Sequence, residues 1–348
     1  MKSPRSKLDT LLFFDGIAIF FIVTAHVLVG HPNNPLFFFW DELGILGLSL
    51  FTFSSGYKLM INHLDDLDQR TFLSEYYMKR VTRLYKPYIG YSLLSAIPLV
   101  LVVYVAVNIF HLNFPGLSNF FSMFDNMNIF IVLSFFVGNN PIAAQLYYLI
   151  TLIAITSICF TILYFLNMKW LFLSFCPFFL ISLLIQLKII QDVPLLGVFR
   201  YLPFFIFGSY WAYNQQTRKG NWFQFFQSYA PVFFFICIPL FIIVQNFFYH
   251  LILFCFFCFL FPFFLSSFFD TMKKIRFAYS FFMFCGNYAF PIYLFQWPLI
   301  LPIVTRSLID ILKLDFIFMP LVVSIITIYL SVFVYQIVKK VHLNILFE

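Results

Sequence analysis

One apolar run of this sequence holds two ionisable side chains at a telling spacing. Leu11 to Gly30 reads LLFFDGIAIFFIVTAHVLVG and contains Asp15 and His26. A run of this length crosses a hydrocarbon core of ~30 Å as one helix. A charged side chain at membrane depth costs roughly 2.5–3.5 kcal/mol on insertion scales, so such residues face a bundle interior or a wet cavity. Three helical turns separate the pair, which puts both on nearly one face, about 16 Å apart along the axis. An acid near one surface and an imidazole near the other make a possible line of proton chemistry. A neutral imidazole can take a proton from an acceptor hydroxyl, since its ordinary pKa lies near neutrality. A histidine that hydrogen-bonds across helices as packing glue fits the same position.

A second set of candidates is basic. Arg80 and Arg83 are spaced i, i+3, which projects both guanidinium groups from one helical face, and Lys79 and Lys86 flank them. Guanidinium grips phosphate in a bidentate fork, so this cluster suits a phosphate-bearing ligand. Anchoring at a cytoplasmic surface among anionic lipid heads explains it equally. Ser55, Gly56 and Tyr57 close an apolar run, and small residues there allow close approach of a helix or a ligand. Asp41 and Glu42 open the second span on the His26 side, as orienting or merely solvated charges. Tyr293 and Gln296, also i, i+3, can line a cavity in a segment distorted by Pro291, Pro298 and Pro302. Asp15 suits an ion pair with Arg80 or Arg83. No metal-ligand cluster or phosphate-binding glycine loop is present, and the six cysteines sit in apolar segments as small hydrophobes.

The elements that must position these residues follow from composition. The 348 residues are 62% hydrophobic and 10% charged, against about 25% charged in soluble domains. The chain therefore reads as an all-α, polytopic transmembrane bundle forming one domain over residues 1–348. About ten spans are expected: 10–30, 36–61, 87–110, 142–166, 170–187, 197–214, 229–248, 250–269, 279–304 and 316–338. A polar, basic loop is expected over 62–86, a tight turn near Tyr249, and a lysine- and arginine-free segment over 111–141. The basic start followed by twenty apolar residues imitates a signal peptide but is read as a retained first helix. Of the 21 Lys and Arg residues, Lys188, Arg200, Arg306 and Lys313 alone fall on the side away from the termini. Basic loops are cytoplasmic, so both termini are expected inside a multi-pass protein of the cytoplasmic membrane. The net charge of +7 thus reflects membrane orientation and implies no nucleic-acid partner.

Six stretches in order resemble the membrane-bound acyltransferase-3 family. They are FFDGIAIFFIVTAH (13–26), GILGLSLFTFSSGYKL (44–59), KRVTRLYKPY (79–88), LYYLITLI (146–153), FFIFGSY (204–210) and YAFPIYLFQWPL (288–299). The resemblance implies transfer of acyl groups, often acetyl from cytoplasmic acetyl-CoA, onto extracytoplasmic carbohydrates. It makes acyl-CoA a donor substrate rather than a tightly bound cofactor. It sets the family's first-helix histidine on His26, its RxxR on Arg80 and Arg83, and its small-residue element on Ser55, Gly56 and Tyr57. With the donor held at the inner face, a protein-lined shaft is expected to connect the arginine pair to His26. This chain departs from the family at three places. Ala18 stands where an arginine is frequent, YYLIT lacks the usual acid, and Gln296 replaces a histidine. Two readings from other classes are a transporter or flippase for a polysaccharide or lipid-linked sugar, which internal repeats would favour, and a partner subunit without activity. No repeat is visible.

Overall fold

The computed structural model describes residues 4–29, 40–67, 69–108, 147–186, 197–217, 247–296, 300–305 and 316–340, with a few isolated positions besides. Among them every regular element is helical: α1 (Pro4–Val29), α2 (Trp40–His63), α3 (Arg70–Asn108), α4 (Tyr147–Phe165), α5 (Met168–Leu173), α6 (Phe175–Gln186), α7 (Gly197–Thr217), α8 (Phe247–Met272), α9 (Arg276–Asn287), α10 (Ala289–Phe295), α11 (Leu301–Thr305) and α12 (Met319–Lys340). Helices satisfy their own backbone groups, which lipid demands. Leu8–Val29, Glu42–Asp66, Tyr147–Phe165, Met168–Ile185 and Met319–Lys340 are long and apolar enough to span a bilayer. Most of the expected seventh span and the segment 111–141 lie outside the described residues.

Two expectations from the sequence fail. The stretch 62–86 is no loop: after a short 3-10 turn at Leu64–Asp66, a single 39-residue helix runs from Arg70 through Pro87. Its Glu, Lys, Arg, Met and Leu residues are good helix formers whatever their charge. At 1.5 Å per residue α3 is about 58 Å long and overreaches a bilayer core. The tight turn near Tyr249 is absent as well. Tyr249 lies inside α8, an apolar run without glycine or proline before Pro262. The distortion expected from the C-terminal prolines is present, since the ninth span divides into α9, α10 and α11.

α1 is the central helix, with Phe13, Ala18, Ile19, Val23 and Leu28 buried. Glycines let two neighbours close on the bundle's axis. A Cβ on Gly16 would stand 1.9 Å from the Phe282 carbonyl oxygen, and one on Gly286 would stand 1.9 Å from that of Leu12, so α1 and α9 touch backbone to backbone. α2 and α7 do the same at Gly56 and Gly208, 2.0 and 2.1 Å from the Phe205 and Phe53 carbonyl oxygens. Small residues at such crossings give the van der Waals contact that holds membrane helices together. Aromatic stacking fills the core around α7 and α8, as where Trp211 meets Phe263 at 4.1 Å and Phe204 meets Phe259 at 4.4 Å between ring centroids. Gly56→Ala forces α2 off α7, so the protein is expected to lose about 1–3 kcal/mol. Thermal unfolding in detergent checks this, and a variant melting with the parent contradicts the crossing.

Candidate functional site

α1 and the α9–α10 pair run in the same direction. Gly16 faces Gly286, and ten residues further on His26 faces Gln296. The kink at Tyr288 swings α10 so that Gln296 is fully buried beside the imidazole. Nδ1 of His26 lies 3.4 Å from Oε1 of Gln296. His26 also lines a cavity of about 210 Å³. Ile22, Ala25 and Val29 of α1, Gly44, Ile45 and Leu48 of α2, Tyr147 of α4, Arg200 and Tyr201 of α7, and Tyr293 of α10 complete the wall. Five helices thus converge on an open, mostly apolar pocket with a few polar groups, the usual character of a small-molecule site. Tyr148 lies against the wall, its hydroxyl on the Leu48 carbonyl oxygen and on Thr52, its ring edge-on to Tyr201 and Tyr293.

The second centre is one layer deeper. α3 runs antiparallel to α4, with Arg70 stacked on Tyr164, Tyr77 bonded to Ser157 and Arg80 donating from Nε to Thr156 at 3.2 Å. Arg80 is buried, with Nη1 also 3.4 Å from the Tyr76 hydroxyl and the guanidinium carbon 5.9 Å above the Phe205 ring. Phe205 is one turn along α7 from Tyr201 in the cavity wall, a rise of about 6 Å. Its carbonyl is the group against which Gly56 packs. Arg80 and the Ser55–Tyr57 element are therefore neighbours across Phe205.

Other candidates separate. Arg83 is exposed, and so is Lys79, which pairs with Glu75 at 3.7 Å. The i, i+3 spacing leaves about 60° between Arg80 and Arg83 around α3, enough for α4 and α7 to enclose only the first. Asp15 pairs with Lys58 of α2, correcting the expected partnership with Arg80 or Arg83. The Tyr57 hydroxyl donates to Gln215, and Ser55 is half-buried. Glu42 is half-buried near the His26 end of α2, and Asp41 belongs to the same first turn. Of the described cysteines, Cys159, Cys258 and Cys285 are buried and Cys176 is exposed. Between the two centres the described side chains of Thr52, Tyr148, Leu152 and Phe205 are buried.

The family model for the acyltransferase 3 family, described as an acyltransferase domain, matches residues 11–336, nearly the whole chain. The chain belongs to the acyltransferase 3 family. It is a multi-pass membrane acyltransferase, acting on groups other than aminoacyl groups. No curated protein and no solved structure matches it.

Several residues of this acyltransferase escape sequence reasoning. Arg200, Tyr147 and Tyr201 share the His26 cavity, yet in the sequence Arg200 counts only towards the charge on the side away from the termini. Its position inside an otherwise apolar span is the available signal. Lys58 is legible too, as the one lysine of α2 able to neutralise an acid buried in α1. At Ala18, where the family resemblance sets an arginine, a Cβ on Gly47 would approach the Ala18 carbonyl oxygen to 2.7 Å. In the Asp15–Lys58 pair Asp15 is buried and Lys58 is about one third exposed. Lys58→Met should destabilise the wild-type background more than the Asp15→Asn background, with a coupling of about 0.5–3 kcal/mol in a double-mutant cycle. Additive effects would break the pairing.

Proposed function

We propose that this acyltransferase moves an acyl group, acetyl in the simplest case, from cytoplasmic acyl-CoA to a hydroxyl of an extracytoplasmic cell-envelope carbohydrate. It does so in the cytoplasmic membrane, with ten spans and both termini inside. The observation that supports this reading most is Arg80. Among the described residues no carboxylate pairs with this buried guanidinium, and two of its five N–H donors are engaged. An uncompensated buried cation is costly, and a phosphorylated donor supplies the missing charge. Arg83 and Lys79, exposed beside it, would meet the outer phosphates, with Ser55, Gly56 and Tyr57 forming the wall behind.

In the cavity an acceptor hydroxyl would lie against His26, positioned by Tyr293, with Asp41 and Glu42 towards the mouth. As His26 takes the hydroxyl proton, the acceptor oxygen bonds to the thioester carbonyl carbon. The tetrahedral adduct then breaks its C–S bond, and the leaving thiolate takes the proton back from the imidazolium. Ester and free CoA are the products. The buried side chains of Tyr148 and Phe205 would border the thioester's route, and excluding water there would guard it. The test is reconstitution in liposomes with labelled acetyl-CoA inside and an envelope glycan outside. Alkali-labile label on the glycan supports the reading. Glycan movement without any CoA-dependent chemistry overturns it in favour of a transporter.

A further inference from the structure

We propose that Gln296 is a positioning residue for His26, fixing which ring nitrogen meets the acceptor. This rests on the reading of His26 as the base. The geometry is specific to this chain. Gln296 is fully buried, and its Oε1 approaches Nδ1 of the imidazole. A carbonyl oxygen only accepts, so Nδ1 carries the proton and donates, and Nε2 keeps its lone pair. The ring then presents a basic nitrogen to the cavity without needing a carboxylate behind it. At 3.4 Å the bond is long, as such bonds often are before substrate tightens a site.

The other half of the amide strengthens the argument. Nε2 of Gln296 is buried and has no hydrogen-bond partner among the described residues. A buried, unmade donor costs about 1–3 kcal/mol. A leucine would fill the same space without that penalty, so the glutamine is a local liability that serves something other than stability. Such broken rules concentrate at functional sites. The groups facing His26 from the surrounding helices are Tyr147 of α4, Arg200 and Tyr201 of α7 and Tyr293 of α10. None of these side chains carries the carbonyl-type acceptor that Gln296 provides.

Gln296→Leu, Gln296→Glu and His26→Ala separate the possibilities when each is purified and assayed with acetyl-CoA and a glycan acceptor. Gln296→Leu is expected to melt at or above the parent temperature yet lose about 10- to 100-fold in kcat, the range carried by partners that orient metal-bound histidines. KM for the donor should hold, because the donor site is a layer away. Gln296→Glu, ionised or protonated, still offers an acceptor oxygen and should recover activity to within about tenfold of the parent. If Gln296→Leu keeps full kcat while His26→Ala is dead, this proposal fails and the base survives. If Gln296→Glu is as slow as Gln296→Leu, the acceptor role is wrong. Activity retained in His26→Ala removes the base itself.

Discussion

His26→Ala is expected to lower acyl transfer by about 10³-fold or more while the protein still accumulates and melts normally. A positioned general base contributes typically 10²–10⁴-fold, and here no other described group on the cavity wall has an imidazole's proton affinity. The side chain already borders open space, so its removal enlarges a cavity instead of emptying a packed core, and the stability loss should be small. Its partner Gln296 bears the main structural change, an acceptor left bare. Donor KM should stay within about threefold, because Arg80 contacts Phe205 and Thr156 and is not on the cavity wall with His26. A fall in kcat at constant KM is the mark of an interaction made in the transition state. Retained turnover, or a loss appearing wholly in donor KM, would remove His26 from the chemistry.

The sequence makes one level of this architecture plain and hides another. Asp15 and His26 announce an interior-facing α1 because charge at bilayer depth has few tolerable environments, and both side chains do face inward. Proline distortion and spacing allow Tyr293 and Gln296 to be read as cavity-lining or as packing, and Tyr293 lines the cavity while Gln296 is buried beside His26. The approach of Gln296 to His26 cannot be read this way, since it depends on the α1–α9 crossing at Gly16 and Gly286, two glycines 270 positions apart. The extent of α3 is hidden because charge suppresses hydropathy without suppressing helix propensity. Arg80 and Arg83 look equivalent on a helix considered alone, and only the packing of α4 and α7 against α3 tells them apart. Tyr147 and Tyr201 of the wall are invisible for a similar reason. The cavity is drawn from five helices, and periodicity within each one carries no information about the others.

That difference between Arg80 and Arg83 yields the second large effect. Arg80→Met is expected to leave the protein as stable as the parent or more so, while kcat/KM for acetyl-CoA falls by about 10²–10⁴-fold. Replacing an unpaired buried cation by an apolar chain of similar volume removes a desolvation penalty, and methionine can still pack over Phe205 beneath Thr156. The same change deletes the charge-assisted bonds proposed for the donor phosphates, each worth about 1.5–3 kcal/mol, so a loss of two sets the expected range. Arg80→Lys should not rescue, because an ammonium cannot reproduce the planar fork held by Thr156, Tyr76 and the aromatic ring. Arg83→Ala should raise donor KM less, by about tenfold, since an exposed cation works against solvent and salt. Titrating a CoA analogue into each purified variant measures the order directly. Should Arg80→Met bind donor as the parent does, or simply unfold, the guanidinium is a packing element and the phosphate site lies elsewhere.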